Sequence, residues 1–217
     1  MPEPILFGAA YSVYVRAARL ALAEKGVAYR LVEIDIFAAG GPPADYAERQ
    51  PFGRIPAFEH DGFRLYESGA ITRYVHEAFP GPPLQPKEPR GRARVNQILS
   101  ILDSYAYRTL VWDIYVERMR AAENGRVTDE ARIAAALPRA ETCLGALEAL
   151  MADTRWLAGP GLTLADLHAA LIFAYGMMAP EGMALVTRHG AIQDWWERMA
   201  GRPSMAATRF PLEQSAQ

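Results

Sequence analysis

The residues of this chain best suited to chemistry lie between residues 51 and 71, in the sequence PFGRIPAFEHDGFRLYESGAI. Pro56 cannot donate a main-chain hydrogen bond, and a cis bond between Ile55 and Pro56 would leave the N–H and C=O of Ile55 facing outward. Ser68, directly after Glu67, has the expected position of a helix N-cap, where the positive end of the helix can hold a carboxylate. An exposed backbone edge beside a carboxylate site suits a small anionic peptide.

Ser12 is a second candidate for chemistry, because it lies at the expected start of the first helix. Free N–H groups and the helix dipole favour an anion at such a position. From the local sequence alone, a serine in this place is explained more simply as an N-cap.

Two strands and a helix are predicted to position Ser12. The short apolar run of residues 5–7 is typical of a buried strand, and residues 29–36 alternate as a second strand. Between them, apolar residues on one face predict a helix from Val13 to about Gly26, with the glycine at its C-terminal end. A strand, a helix and a strand within about 30 residues predict a βαβ unit whose strands are parallel.

A hairpin and a helix are predicted to position the second group of residues. Residues 58–60 and 63–65 alternate with period two around Asp61-Gly62, which is a strong signal for a two-residue turn. A helix is then expected from Ser68 to Ala78. The sequence therefore predicts a small α/β domain over residues 1–79, with a βαβ unit followed by a ββα unit.

The composition changes near residue 80. The segment PGPPLQPKEP, residues 80–89, contains five prolines and predicts a stiff linker. Beyond it we find helical patterns and no convincing strand, so residues 90–217 are predicted to form an all-helical domain. In this domain Thr163 and Asp166 match a capping box, which gives Asp166 a structural role, and Pro138 is expected to kink or break its helix.

The bulk composition excludes several classes of function. The chain has 217 residues, a formal charge of −2 and no apolar run long enough to span a membrane, so we expect a soluble protein without nucleic-acid or membrane partners. The early Glu3 and two prolines argue against a secretory signal. Cys143 is the single cysteine, which favours a reducing, cytoplasmic location, and we expect it to be a buried apolar residue. The four histidines lack metal-ligand spacing, so no metal site is expected.

Three blocks of sequence together resemble the cytosolic glutathione S-transferases, over nearly the whole chain. They are LFGAAYSVYVR, QPFGRIPAFEHDGFRLYESGAITRYV and WLAGPGLTLADL, at residues 6–16, 50–75 and 156–167. The first two blocks are most similar to the serine-type, phi-like members. The resemblance implies a thioredoxin-like N-terminal domain, an all-helical C-terminal domain, glutathione as cosubstrate and a homodimer with the long helix after the linker at its interface.

The resemblance assigns the chemistry to Ser12. Glutathione reacts as a thiolate, and a serine hydroxyl can donate a hydrogen bond that stabilises the negative sulfur. Such a bond to a charged group contributes about 1.5–3 kcal/mol, which lowers a thiol pKa by about 1 to 2.

Tyr11 and Tyr14 are alternative candidates for this role, because other transferase classes use a tyrosine. Tyr11 could instead form a wall of the electrophile pocket. Arg16 could orient the serine hydroxyl or be a solvated surface residue.

The resemblance also assigns the residues that hold glutathione. Ile55, presented by a cis Pro56, pairs its backbone with the cysteinyl part, Glu67 receives the γ-glutamyl ammonium, and Ser68 receives the γ-glutamyl carboxylate. The segment of residues 37–43, where phi-like proteins usually carry a basic residue, has no cation here. Arg54 is the obvious substitute for the glycyl carboxylate, or else it forms a surface salt bridge.

The pocket for the second substrate is expected to use small and aromatic side chains from both domains. The residues are Ala9, Ala10 and Tyr11 from the first domain and Tyr105, Trp112 and Tyr115 from the long helix, with Tyr175, Met177 and Met178 as further candidates. The three aromatic residues of the long helix are spaced to share one face, so a core or subunit interface is the alternative. Asp103 on the same helix could reach the glutathione of a partner subunit.

The main functional hypothesis is therefore an enzyme that conjugates glutathione to small apolar electrophiles. One alternative is a protein that binds glutathione or apolar ligands without turnover. Another is a glutathione-dependent peroxidase, isomerase or dehalogenase, which the sequence does not separate from a conjugating enzyme.

Overall fold

The computed structural model describes residues 2–210, which form two compact units. The first unit contains the residues up to Pro83 together with those from Pro203 onward, and the second is Leu84–Arg202. The division at residue 83 falls within the predicted linker. The described residues after Pro203, which the sequence placed in the helical domain, belong instead to the first unit.

A four-stranded sheet forms the centre of the first unit, with the strand order β2-β1-β3-β4. The strands are β1 (Ile5–Phe7), β2 (Arg30–Val32), β3 (Ala57–His60) and β4 (Phe63–Tyr66). β1 is parallel to β2 and antiparallel to β3, as the predicted thioredoxin-like domain requires. β2 is shorter than the predicted strand of residues 29–36, because the chain turns after Val32 and the Asp35 carboxylate accepts the N–H of Phe37.

The turn of the hairpin follows directly from its two residues. Asp61 and Gly62 have φ angles of 51° and 75°, the pair of positive values that a type I′ turn needs. The predicted hairpin is therefore confirmed, and its register brings His60 opposite Phe63 and Ala57 opposite Tyr66.

Two helices of the first unit carry the candidate residues at their N-termini. α1 (Val13–Glu24) has Ser12 as its N-cap, and Gly26 after it has a φ of 67°. α2 (Ser68–Ala78) differs from the prediction by one residue, because its N-cap is Glu67 and Ser68 is the first helical residue. A short 3₁₀ segment, Ala44–Glu48, lies between β2 and β3.

The last described helix, α9 (Pro203–Ala207), packs on α1. Arg16 is fully buried there and donates to the hydroxyl of Thr208 at 3.3 Å and to the C=O of Met205 at 3.1 Å. The expectation of a solvated Arg16 is therefore wrong. The buried guanidinium and the hydrogen bond from Ser204 to Glu24 explain why the segment belongs to this unit.

The second unit is helical throughout, apart from an isolated bridge between Trp156 and Gly159. Its helices are α3 (Pro89–Ile101), a π-helical segment (Leu102–Val116), α4 (Glu117–Arg120), a 3₁₀ turn (Ala122–Asn124), α5 (Glu130–Met151), α6 (Leu164–Gly176), α7 (Pro180–Thr187) and α8 (Gly190–Ala200). α5 continues through Pro138 without a break. Within residues 2–210, no helix is long and apolar enough to cross a membrane.

The predicted capping box at the start of α6 is confirmed. Asp166 is buried and its Oδ2 accepts both the N–H and the hydroxyl of Thr163 at 2.8 Å. Its Oδ1 accepts the N–H of Leu157 at 2.8 Å and Nε1–H of Trp195 at 2.9 Å. With four donors on one carboxylate, Asp166 joins α6, α8 and the preceding loop, a structural role.

Candidate functional site

The strand register brings the candidate residues of the first unit to one edge of the sheet. Phe7 is paired with Ala57, and Ala57 with Tyr66, so the three residues form a row across β1, β3 and β4. The chain just outside this row contains the loop before α1, the Ile55-Pro56 pair and the Glu67-Ser68 pair. Phe7 is also paired with Val32, so the loop after β2 begins at the same edge.

The loop between β1 and α1 places Ser12 at the positive end of the helix. Gly8 has a φ of 151°, and a Cβ at this position would overlap the side chain of Val15, so glycine is required for the close approach of loop and helix. Ser12 Oγ accepts the N–H of Val15 at 3.4 Å. This contact uses a lone pair of the oxygen, so the O–H of Ser12 can still donate to an anion. Ala9 and Ala10, from the predicted electrophile pocket, lie in the same loop.

The turn before β3 presents the main chain of Ile55. The Ile55-Pro56 bond is cis, as the sequence predicted. Neither the N–H nor the C=O of Ile55 is hydrogen-bonded to another residue in the described range 2–210. Both groups can therefore pair with an extended peptide.

Two residues that the sequence did not single out hold this turn in place. Gln50 is buried, and its Oε1 accepts the N–H groups of Phe52 at 2.7 Å and of Arg54 at 3.2 Å. The hydroxyl of Tyr46 donates to the C=O of Arg54 at 2.8 Å, and burial raises the pKa of this phenol to about 12. A polar residue directly before Pro51 was the signal that could have identified Gln50.

The N-terminus of α2 is a second position for an anion. The C=O of Glu67 accepts the N–H groups of Ala70 and Ile71 at 3.0 and 2.9 Å, which leaves the N–H groups of Ser68 and Gly69 without a partner among the described residues. Ser68 is buried, whereas the carboxylate of Glu67 is exposed. Two free N–H groups at the positive end of a helix can bind a carboxylate.

Glu67 has an unusual main-chain conformation, with φ 69° and ψ 116°. A residue with a side chain pays of order 1–3 kcal/mol for such a conformation. It is one of three residues with a side chain and a positive φ in the described range, the others being Asp61 and Ala152. The strain at a residue predicted to bind a ligand supports a functional reason for its position.

Tyr11 is held by the loop after β2. Its hydroxyl donates to Asp35 at 2.5 Å, and its ring stacks on Phe37 with the ring centroids 6.2 Å apart. Burial, followed by the hydrogen bond to Asp35, raises the pKa of Tyr11 far above that of a free phenol. The hydrogen bond from Tyr11 lowers the pKa of Asp35. The sequence did not identify Asp35, although an acid two residues before Phe37 is the pattern of an Asx turn.

The candidate cation Arg54 is exposed, and its guanidinium has no ion pair within residues 2–210. The alternative of a surface salt bridge is therefore not supported. Arg49 is the neighbouring cation in sequence, but it contacts Asp45 at 3.6 Å and lies over the ring of Phe7 at 4.9 Å. Arg54 thus has the greater freedom to reach a ligand carboxylate.

The three aromatic residues of the long helix have different surroundings. Tyr105 is 62% exposed, Trp112 is half-buried, and Tyr115 is buried with its ring edge-on to Tyr175 at 5.3 Å. They lie in the π-helical segment, where i→i+5 hydrogen bonds widen the turn. Residues seven and ten apart therefore do not share the face that the α-helical spacing predicted. Asp103, on the same segment, accepts a hydrogen bond from Nε2 of His168 at 2.8 Å.

Tyr105 also lines a cavity of about 760 Å³ within the second unit, between the π-helical segment and α5. Three guanidinium groups beside this cavity meet one buried carboxylate, Asp113, at 2.8–3.0 Å; they belong to Arg108, Arg132 and Arg139. Cys143 is also at the cavity and is buried, which raises the pKa of its thiol. Among the described residues, no group of three His, Cys, Asp or Glu side chains could hold a metal ion.

Comparison with protein families gives two matches that together cover most of the chain. The model of the glutathione S-transferase N-terminal domain matches residues 6–83, and that of the C-terminal domain matches residues 82–203. Among curated proteins, glutathione S-transferase F9 of Arabidopsis thaliana is 30% identical over 89% of this chain and 90% of its own length. Glutathione S-transferase 4 of Zea mays is 30% identical over 94% of this chain and 90% of its own length.

Solved structures share the fold. Glutathione transferase F7 from Populus trichocarpa has a TM-score of 0.84 and 30% identity, over 94% of this chain and 97% of its own. Glutathione S-transferase I from maize, solved with an atrazine glutathione conjugate, has a TM-score of 0.85 at 24% identity, over 95% and 96% of the two chains. At that identity the second likeness concerns the fold alone.

Proposed function

Because the chain belongs to the glutathione S-transferase family, we propose that it conjugates the thiolate of glutathione to small, mostly apolar electrophiles. The observation that supports this function best is the set of groups at one edge of the sheet. A helix N-terminus with a free hydroxyl, an unpaired backbone edge and two free N–H groups lie beside the paired residues Phe7, Ala57 and Tyr66. An anionic peptide with a thiol needs these three kinds of group.

Ser12 is the proposed catalytic residue. Its O–H donates to the sulfur, while the N-terminus of α1 supplies further positive potential. Stabilising the thiolate lowers the thiol pKa and increases the fraction of nucleophile at neutral pH. Binding both reactants in one site then replaces a bimolecular encounter by an oriented one.

The remaining groups of the first unit hold the tripeptide. The main chain of Ile55 pairs with the cysteinyl residue, and the N–H groups of Ser68 and Gly69 receive the γ-glutamyl carboxylate. The exposed carboxylate of Glu67 receives the ammonium group. Arg54, which has no ion pair within the described range, is the proposed partner of the glycyl carboxylate.

For the electrophile pocket we keep the predicted residues as the proposal. Ala9, Ala10 and Tyr11 come from the loop before α1, and Tyr105, Trp112 and Tyr115 come from the second unit. The stack of Tyr11 on Phe37 supports an apolar wall on the first side. Tyr115 has the weakest support, because its ring is buried against Tyr175.

We further propose that the protein is a cytoplasmic homodimer that acts in detoxification. Exposed aromatic side chains support self-association: Phe52 is 69% exposed and its ring contacts the partly exposed Tyr66. Tyr105 on the long helix is exposed as well. A symmetric interface that covers such side chains gains from their burial.

One set of assays tests the proposed function. Wild type and Ser12→Ala are tested for retention on immobilised glutathione, and for turnover of a general aryl halide and of an organic hydroperoxide. Conjugation that falls with Ser12→Ala supports the proposal. Retention without any turnover would show a binding protein, turnover of the hydroperoxide alone would show a peroxidase, and no retention would contradict the assignment of glutathione.

A further inference from the structure

Tyr11 and Ser12 are adjacent in the loop before α1, so either hydroxyl group could donate a hydrogen bond to the glutathione thiolate. A phenol is more acidic than an alcohol, so an unconstrained Tyr11 would be the stronger hydrogen-bond donor to a thiolate. The donor to the thiolate is therefore the hydroxyl whose proton is not already donated to another acceptor in the protein.

Asp35 holds the proton of Tyr11. The hydroxyl of Tyr11 donates to Oδ1 of Asp35 at 2.5 Å, and the same oxygen accepts the N–H of Phe37 at 2.9 Å. The rings of Tyr11 and Phe37 are stacked, so two contacts join the loop before α1 to the loop after β2, and the hydrogen bond between Asp35 and Phe37 holds the second loop itself. A carboxylate is a stronger acceptor than a neutral oxygen, and a phenol has one proton to donate.

The charges around Tyr11 act in the same direction. Asp35 and Glu33 both follow β2, and both disfavour a negative phenolate. The proton therefore stays on Tyr11, and the negative charge stays on Asp35. Ser12 differs from Tyr11, because its hydroxyl oxygen is only an acceptor for the N–H of Val15 and its proton remains to be donated.

We propose that Asp35 is a positioning residue that holds the hydroxyl proton of Tyr11 and so leaves Ser12 as the donor to the glutathione thiolate. This inference rests on the proposed function and adds a residue to it. The inference also gives the two parts of Tyr11 separate roles. Its ring forms an apolar wall with Phe37, and its hydroxyl donates to Asp35. Removing the carboxylate should make Tyr11 an alternative donor.

The hydrogen bond itself is tested without any ligand. The tyrosinate absorbance of wild type, Asp35→Ala and Asp35→Asn is titrated with pH, each against the same protein with Tyr11→Phe. We expect Tyr11 of wild type to ionise above the range of a free phenol, and Asp35→Ala to lower its pKa by about 1 or more. Asp35→Asn keeps an acceptor oxygen and should have a smaller effect. Equal titration of Tyr11 in wild type and Asp35→Ala would contradict the proposal.

The catalytic consequence is tested on bound glutathione. Thiolate absorbance against pH gives the thiol pKa in wild type, Ser12→Ala, the double variant Ser12→Ala/Asp35→Ala, and the triple variant that adds Tyr11→Phe. We expect Ser12→Ala to raise the thiol pKa by about 1 to 2, the double variant to recover about 1, and the triple variant to lose that recovery. A merely structural role of Asp35 would give no recovery, which would overturn the inference.

The outcomes separate this inference from the function on which it rests. A wild type that binds glutathione, with a double variant that recovers nothing, overturns the role of Asp35 and leaves the transferase intact. A wild type that does not bind glutathione overturns both. If Asp35→Ala does not fold by circular dichroism, Ser12→Ala/Asp35→Asn replaces the double variant, with a smaller recovery expected.

Discussion

At the scale of single residues, Ser12 uses the two parts of its hydroxyl for different tasks. The oxygen accepts the N–H of Val15 as an N-cap, while the hydrogen remains available for an anion. The cap and the catalytic donor, which were alternatives in the sequence, are thus compatible in one side chain. Tyr11 beside it lacks this freedom, because its proton is held by Asp35.

Replacing Ser12 with Ala should lower kcat/KM for an aryl halide at pH 7 by about 10- to 100-fold, the effect of one hydrogen bond to a charged group. It should also remove up to about 1 kcal/mol of stability as an N-cap. Steady-state kinetics and urea unfolding measure the two effects. Ser12→Thr, which keeps the hydroxyl, is the matched control, and full activity of Ser12→Ala would transfer the role to another residue.

Replacing Glu67 with Gly should stabilise the protein and weaken glutathione binding at the same time. The positive φ of 69° is less costly for glycine, so the free energy of unfolding should rise by about 1 kcal/mol. The lost carboxylate should raise KM for glutathione. Glu67→Gln is the control, because it keeps the strain and removes the charge. A Gly variant that is less stable than wild type would show that the backbone is not strained.

At the scale of elements, helix termini and their partners hold the second unit together. Asp166 joins the start of α6 to α8 through Trp195. Glu117, fully buried at the start of α4, accepts the N–H of Asp129 at 3.0 Å and faces Arg126 and Arg132 at 3.1 Å. These two carboxylates connect elements that the chain separates by loops.

Replacing Asp166 with Ala should cost about 3 kcal/mol or more of unfolding free energy, because buried donors of Leu157, Thr163 and Trp195 lose their acceptor. Chemical unfolding followed by tryptophan fluorescence measures the loss. Asp194→Ala is the matched control, since Asp194 is exposed and adjacent to Trp195. Similar losses in the two variants would mean that the network contributes little.

Glu117→Gln should destabilise the protein in a pH-dependent manner. The N–H of Asp129, with further help from Arg126 and Arg132, holds the pKa of Glu117 below its ordinary value. The folded carboxylate thus contributes stability above its unfolded pKa, and this contribution is lost as pH falls through the lower folded pKa. The difference in urea midpoint between wild type and Glu117→Gln should therefore be largest near pH 7 and shrink below about pH 4. Glu123→Gln, at an exposed site, is the matched control.

At the scale of the whole molecule, the chain returns to its first unit after completing the second. Residues 203–210 pack with the α/β unit, where Arg16 donates to Met205 and Thr208. The helix that carries Ser12 is thereby braced by the far end of the described chain. Truncation before Pro203 would leave the buried guanidinium of Arg16 without these partners.

The proposed dimer gives a prediction at the same scale. Phe52→Ser should shift the protein from dimer to monomer in light scattering coupled to size-exclusion chromatography, because Phe52 is 69% exposed and apolar. Phe37→Ser is the matched control, since Phe37 is 66% exposed and lies in another loop. A wild-type monomer would contradict the proposed dimer, and an unchanged dimer of Phe52→Ser would place the interface elsewhere.

The sequence by itself determined the features that depend on neighbours in the chain. The Asp61-Gly62 turn, the capping box at Thr163 and the helix start after Ser12 all follow from conformational preferences of a few adjacent residues. The cis bond before Pro56 was implied by the family resemblance, because the local preference of an X-Pro bond is trans. The three family blocks also suffice to identify the glutathione S-transferase family. Local signals of this kind need no knowledge of distant contacts.

Only the tertiary structure decided which side chains from distant segments meet. Asp35 lies 24 residues from Tyr11 and Arg16 lies 192 from Thr208, and no local pattern encodes either contact. The spacing of Tyr105, Trp112 and Tyr115 predicted a shared face only for an α-helix. The structure has a π-helix over this segment, which changes the direction of each side chain. The opening features were thus visible in the sequence, whereas the hydrogen bond that distinguishes Tyr11 from Ser12 exists only because parallel strands bring two loops to one edge of the sheet.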